Sequence, residues 1–108
     1  MTSMDGMFRR CFNLKEIDLS TLNTENLENM RDMFSQGDMA VISKLETIKF
    51  GNLNTKKVTD MNSLFGGCQK LTNIDLSNFD TGNVLSMLGM FSGCTGLTKS
   101  RKYGVYVL

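Results

Sequence analysis

Apolar positions fall in one order that recurs along the chain. The cleanest copy runs Met61, Leu64, Phe65, Cys68, Leu71, Ile74, Leu76, Phe79 and Val84. Met4, Met7, Phe8, Cys11, Leu14, Ile17, Leu19, Leu22 and Leu27 repeat it, and so do Met30, Met33, Phe34, Leu45, Ile48, Phe50, Leu53 and Val58. Met87, Met90, Phe91, Cys94 and Leu97 open a fourth copy, after which Ser100 and Lys102 stand where Ile and Leu are due. Met4 to Met30 is 26 residues, as is Met61 to Met87, while Met30 to Met61 carries a five-residue insertion within 35–43. A fixed period of this size marks a repeat architecture, in which each unit buries its apolar face only against its neighbours.

Two periods alternate inside each copy. Met61, Leu64, Phe65 and Cys68 sit at i, i+3, i+4 and i+7, the spacing of one face of a two-turn helix. The same spacing holds at Met4, Met7, Phe8 and Cys11 and at Met87, Met90, Phe91 and Cys94. Ile74-Asp75-Leu76 then alternates with period two, which predicts a short strand. The Asn, Asp, Thr and Gly of 78–83 are turn formers. Strand, turn, short helix and return predict an α/β solenoid of about four coils, with parallel strands stacked roughly 4.8 Å apart. Residues 1–99 would form it, with copies starting near 4, 30, 61 and 87, and residues 100–108 would be a divergent C-terminal cap or tail.

The full pattern is Met-x-x-Met-Phe-x-x-Cys-x-x-Leu-x-x-Ile-Asp-Leu-Ser-x-Phe-Asp-Thr-x-x-Val. Its Leu-x-x-Ile-x-Leu core resembles the leucine-rich repeat. Over about residues 2–97 the whole pattern resembles the BspA-like repeat, also known as a Mycoplasma-type domain of unknown function. That resemblance implies a leucine-rich-repeat solenoid on secreted or surface-anchored proteins, as part of a longer chain. It further implies adhesion and binding of host or matrix proteins, with no catalytic residues. No signal peptide opens this sequence.

Composition narrows the chemistry. Twelve basic and 11 acidic residues leave a net charge of +1, with the signs interspersed. Bulk attraction to nucleic acid is therefore not expected, and no apolar run is long enough to insert in a membrane. There is no histidine, so the usual general base and the commonest metal ligand are missing. We expect no enzyme, no cofactor and no metal site. Cys11, Cys68 and Cys94 share one template slot, which in the second copy falls on Ile42, three residues before Leu45. An isoleucine there points to a buried apolar slot, although a Cys68–Cys94 bridge between adjacent copies is geometrically open. The nine methionines read mainly as core, since Leu64 replaces one of them.

The exposed strand positions carry the candidate binding residues. Four residues after each strand leucine stand Asp18, Lys49, Asp75 and Arg101, a row of alternating sign. Beside it runs a row of Glu16, Thr47, Asn73 and Lys99, acidic at one end and basic at the other. One reading is a charge ladder that sets register; the other is a polar face that binds a protein or glycan. A third possibility concerns the ends. The chain starts in mid-repeat, and Tyr103-Gly104-Val105-Tyr106-Val107-Leu108 is weakly alternating and apolar. This tail either caps the last copy or leaves a strand edge open, so the chain can also serve as a structural block that stacks end to end into oligomers or filaments.

Overall fold

A computed structural model describes residues 2–37, 41–96 and 99–100. Four short strands appear in chain order: β1 (Glu16–Asp18), β2 (Thr47–Lys49), β3 (Asn73–Ile74) and β4 (Lys99–Ser100). β1 pairs with β2 and β3 with β4, both parallel, as two separate two-stranded sheets. On the far side of each copy, parallel bridges join Ser3 to Asn29, Asn29 to Asp60 and Asp60 to Ser86.

Among the described residues there is no helix. The expected α/β leucine-rich-repeat solenoid of about four coils is therefore corrected: turns replace every helix, and no continuous sheet runs through the strands. The reason lies in the backbone. Gly6, Asp32, Ser63 and Gly89, two residues after each leading Met, all have φ between 54° and 65°. Arg10, Gly67 and Gly93, four residues further on, are left-handed too. A right-handed helix cannot pass through such residues. Instead Met61–Leu64 and Phe65–Cys68 each close a four-residue turn, with Leu64 N–H on Met61 O at 3.3 Å and Cys68 N–H on Phe65 O at 3.1 Å. The left-handed residue stands third in each turn, where a type II turn demands positive φ.

The alternate N–H groups leave the turn and reach the next copy. Met61, Ser63, Phe65 and Gly67 donate to the carbonyls of Ser86, Leu88, Met90 and Ser92 at 2.7–3.0 Å. Met30, Asp32, Phe34 and Gln36 donate likewise to Asp60, Asn62, Leu64 and Gly66, and Met4, Gly6, Phe8 and Arg10 to Asn29, Arg31, Met33 and Ser35. Every junction thus carries a four-rung ladder. This satisfies backbone groups that would otherwise be stranded beside a core.

The core lies between the turn pairs and the strands. Phe8, Phe34, Phe65 and Phe91 stack with centroids 5.5–5.8 Å apart, and Phe50 meets Phe34, Phe65 and Phe79 edge-on. Cys68 and Cys94 are fully buried and Cys11 half-buried, all three as free thiols. Cys68 Sγ–H donates to Phe34 O at 3.2 Å and Cys94 Sγ–H to Phe65 O at 2.9 Å. In the second copy Ile42 does not take this slot, for it is exposed. Gln36 fills it: fully buried, its Nε2 donates to Phe8 O at 3.2 Å and Phe34 O at 2.8 Å. The slot selects a donor for the preceding phenylalanine carbonyl as much as an apolar volume.

Candidate functional surface

The short strands turn one edge row inward and two outward. In β1, Ile17 is buried while Glu16 and Asp18 are exposed; in β2, Ile48 is half-buried between exposed Thr47 and Lys49. Register sets Glu16 beside Thr47 and Asp18 beside Lys49. Asn73 stands beside Lys99 in the other sheet. Asp75 follows β3 and is exposed. Arg101 and the Tyr103–Leu108 tail lie outside the described residues. The candidate rows are thus brought together in pairs, without a continuous ladder from copy to copy.

Local hydrogen bonds divide the acidic residues by role. Asp18 Oδ1 accepts the N–H of Ser20 at 2.9 Å, and Asp75 Oδ1 that of Ser77 at 3.0 Å. Each Asp-Leu-Ser therefore ends its strand in a side-chain-capped turn. The hydroxyl and N–H of Ser20 hold the Asp18 carboxyl below its usual value, helped by the charge of Lys49. Lys49 Nζ itself lies 3.5 Å from Glu16 Oε1, and Lys15 Nζ 3.7 Å from Glu46 Oε2. Such exposed pairs are worth at most about 1 kcal/mol, so the charges remain available to a partner.

Two grooves adjoin this face where the strand gives way to the Leu-Asn-Thr corner. The nearer, about 240 Å³, has Ile48, Phe50, Leu53 and Phe79 for its apolar lining and Lys49, Asp75 and Asn78 at its rim. The second, about 490 Å³, continues past Gly51, Asn52 and Asn54 to Lys56 and Asp80. Asn54 and Asp80 cap the N–H groups of Lys56 and Gly82, at 3.0 and 2.9 Å. The corner residues Asn52, Lys56, Asn78 and Asp80 escape a reading based on strand alternation alone. Their signal was the density of Asn and Asp in the links, which registers first as turn chemistry. Between the copies the corner is held by buried threonines: Thr24 Oγ1 accepts Asn54 N–H at 2.8 Å, and Thr55 Oγ1 accepts Asp80 N–H at 2.7 Å.

No three Cys, Asp or Glu side chains gather to hold a metal ion among the described residues, and no helix there is long and apolar enough to cross a membrane. The surface offers a cation, carboxylates and amides around an apolar trough, a set suited to hydrogen-bonded recognition. Residues 2–103 match the family model described as "Mycoplasma protein of unknown function, DUF285". No curated protein and no solved structure matches the chain.

Proposed function

The chain belongs to the DUF285 family of Mycoplasma proteins of unknown function, and we propose that it is a non-catalytic recognition module for a protein or glycan. The observation that carries this reading is the trough of Ile48, Phe50, Leu53 and Phe79, rimmed by Lys49, Asp75 and Asn78 and continuous with the exposed strand face. An apolar floor accepts a sugar face or a side chain, while the rim groups fix its orientation. Glu16, Asp18 and Thr47 extend the contact surface, and Asn73, Lys99 and Arg101 continue it by sequence position. The likeness of the repeat to BspA-like repeats supports a secreted or cell-surface setting and an adhesive role.

The test is binding of the purified chain to immobilised mammalian glycans and matrix glycoproteins, compared with the triple variant D18K/K49E/D75K. On at least one probe the wild type should bind, and the folded variant should lose at least about tenfold in affinity, the effect of one or two hydrogen-bonded charges. Binding that the triple variant leaves intact would overturn the assignment of this face. So would the absence of binding to every probe.

A further inference from the structure

On the turn-pair side of the core, away from the strand face, a trough of about 230 Å³ crosses three copies. The second copy lends it Ser35 and Gly37, the third Ser63, Gly66 and Gly67, and the fourth Ser92. Glycine at 67 answers to the backbone, where φ is +75°. Gly66 does not: it is not left-handed, and a Cβ there would meet Ser35 Oγ at 3.4 Å, an ordinary contact. Neither the turn nor the packing requires glycine at 66, and the missing side chain keeps the space beside Ser35 open.

The Ser35 hydroxyl points to a ligand. Ser35 is 6% exposed, and its Oγ makes no hydrogen bond among the described residues. It lies 3.4 Å and 3.8 Å from the points where Cβ atoms on Gly66 and Gly37 would stand, so it faces the trough that both glycines line. A buried polar group without a partner is costly, and a bound ligand atom would supply one. The point beside Gly37 is also 4.0 Å from Arg10 Nε, and the Arg10 guanidinium has no ion pair among the described residues. Ser63 and Ser92 add two more hydroxyls without a hydrogen bond there. Among the described residues no acid lines the trough. Asp32, which takes the template position of Ser63 one copy earlier, is engaged with Arg31 at 3.8 Å.

We propose that this trough binds a small molecule through an oxyanion, a phosphate, sulfate or carboxylate group. The anion sits between Gly37 and Gly66 and accepts from Ser35 Oγ–H and the Arg10 guanidinium, while Ser63 and Ser92 meet the rest of the molecule. Donors that converge where no carboxylate stands select a negatively charged acceptor. The glycines let it approach the backbone closely. The volume is below that of drug-sized pockets, which limits the ligand to about the size of one sugar or amino acid.

Amide NMR titration of the chain with inorganic phosphate, sulfate and acetate tests this, each taken to about 50 mM with ionic strength held constant by chloride. At least one anion should shift the amides of Gly37, Gly66 and Gly67 saturably. G66A sets a methyl group against Ser35 Oγ, and S35A removes the hydroxyl. Each should weaken binding at least about tenfold, the effect of one hydrogen bond to a charged group. R10Q should do the same, and it decides the matter if either of the others fails to fold, because Arg10 is exposed. Glucose 6-phosphate should bind no more weakly than phosphate, since the trough runs on past the anion. Titrations that stay flat with all three anions overturn the proposal. So do saturable shifts that the folded variants leave at wild-type affinity, or exclusion of the sugar phosphate where phosphate binds.

Discussion

Thr55 shows how much of the fold rests on single side-chain atoms. Its Oγ1 accepts the N–H of Asp80 at 2.7 Å and donates to the carbonyl of the same residue at 3.0 Å, in a site that is 1% exposed. Thr55→Val keeps the shape and strands both backbone groups. It should lower stability by about 1–3 kcal/mol in urea unfolding, with Thr24→Val costing less because Thr24 serves one N–H only. Cys94 makes a second test. Burial pushes its thiol from the ordinary 9.0 to about 11, and Cys68 is pushed higher for the same cause. A thiol that ionises more readily when unfolded contributes stability that is complete below pH 9 and lost as pH rises toward 11. Cys94→Ala should flatten this fall, by up to about 2–3 kcal/mol at pH 11 relative to pH 8. Equal slopes in both proteins would show that the thiol is not buried as described. At this scale the sequence was readable where a slot recurs with one chemistry, as in the Phe8, Phe34, Phe65 and Phe91 column. It misled at Ile42, because the insertion within 35–43 let Gln36 supply the donor from a different register.

The unit of structure is the pair of turns, and its disguise as a helix has a physical origin. The first and fourth residues of a four-residue turn lie close together. Two turns in succession therefore bring i, i+3, i+4 and i+7 to one side, which is also what a helix does. The spacing alone cannot separate them. The discriminating signal was glycine inside the pattern, at Gly6, Gly67, Gly89 and Gly93, all left-handed in the fold. Gly67 is tightly constrained: φ is +75°, and an added Cβ would lie 2.7 Å from Gly37 N. Gly67→Ala should cost at least about 2 kcal/mol, from left-handed strain of about 1–2 kcal/mol plus a backbone clash. Gly89→Ala meets just the side-chain atoms Ser63 Oγ at 3.4 Å and Ser92 Cβ at 3.8 Å and should cost the conformational part alone, a difference that thermal unfolding of the two variants would show. Strand register was legible from period two, and Asp18 stands beside Lys49 as the alternation requires. The grooves at the Asn-rich corners were not legible, since they depend on how far neighbouring corners stand apart.

For the whole molecule, the repeat presents the strand face and grooves on its sides, where variation between copies sets Lys49 among Asp18, Glu16 and Asp75. The recognition proposed for that face depends on one claim, that alternate N–H groups of each turn pair bond to the next copy rather than within a helix. Amide hydrogen exchange tests it most directly, because a helix leaves its first four N–H groups without a backbone partner, whereas the ladder bonds Met30, Asp32, Met61 and Ser63 to the carbonyls of Asp60, Asn62, Ser86 and Leu88. These four amides should be as protected as those of Phe34 and Phe65. If they exchange at least about tenfold faster than Phe34 and Phe65, as the first turn of a helix would make them, the turn-pair ladder is wrong.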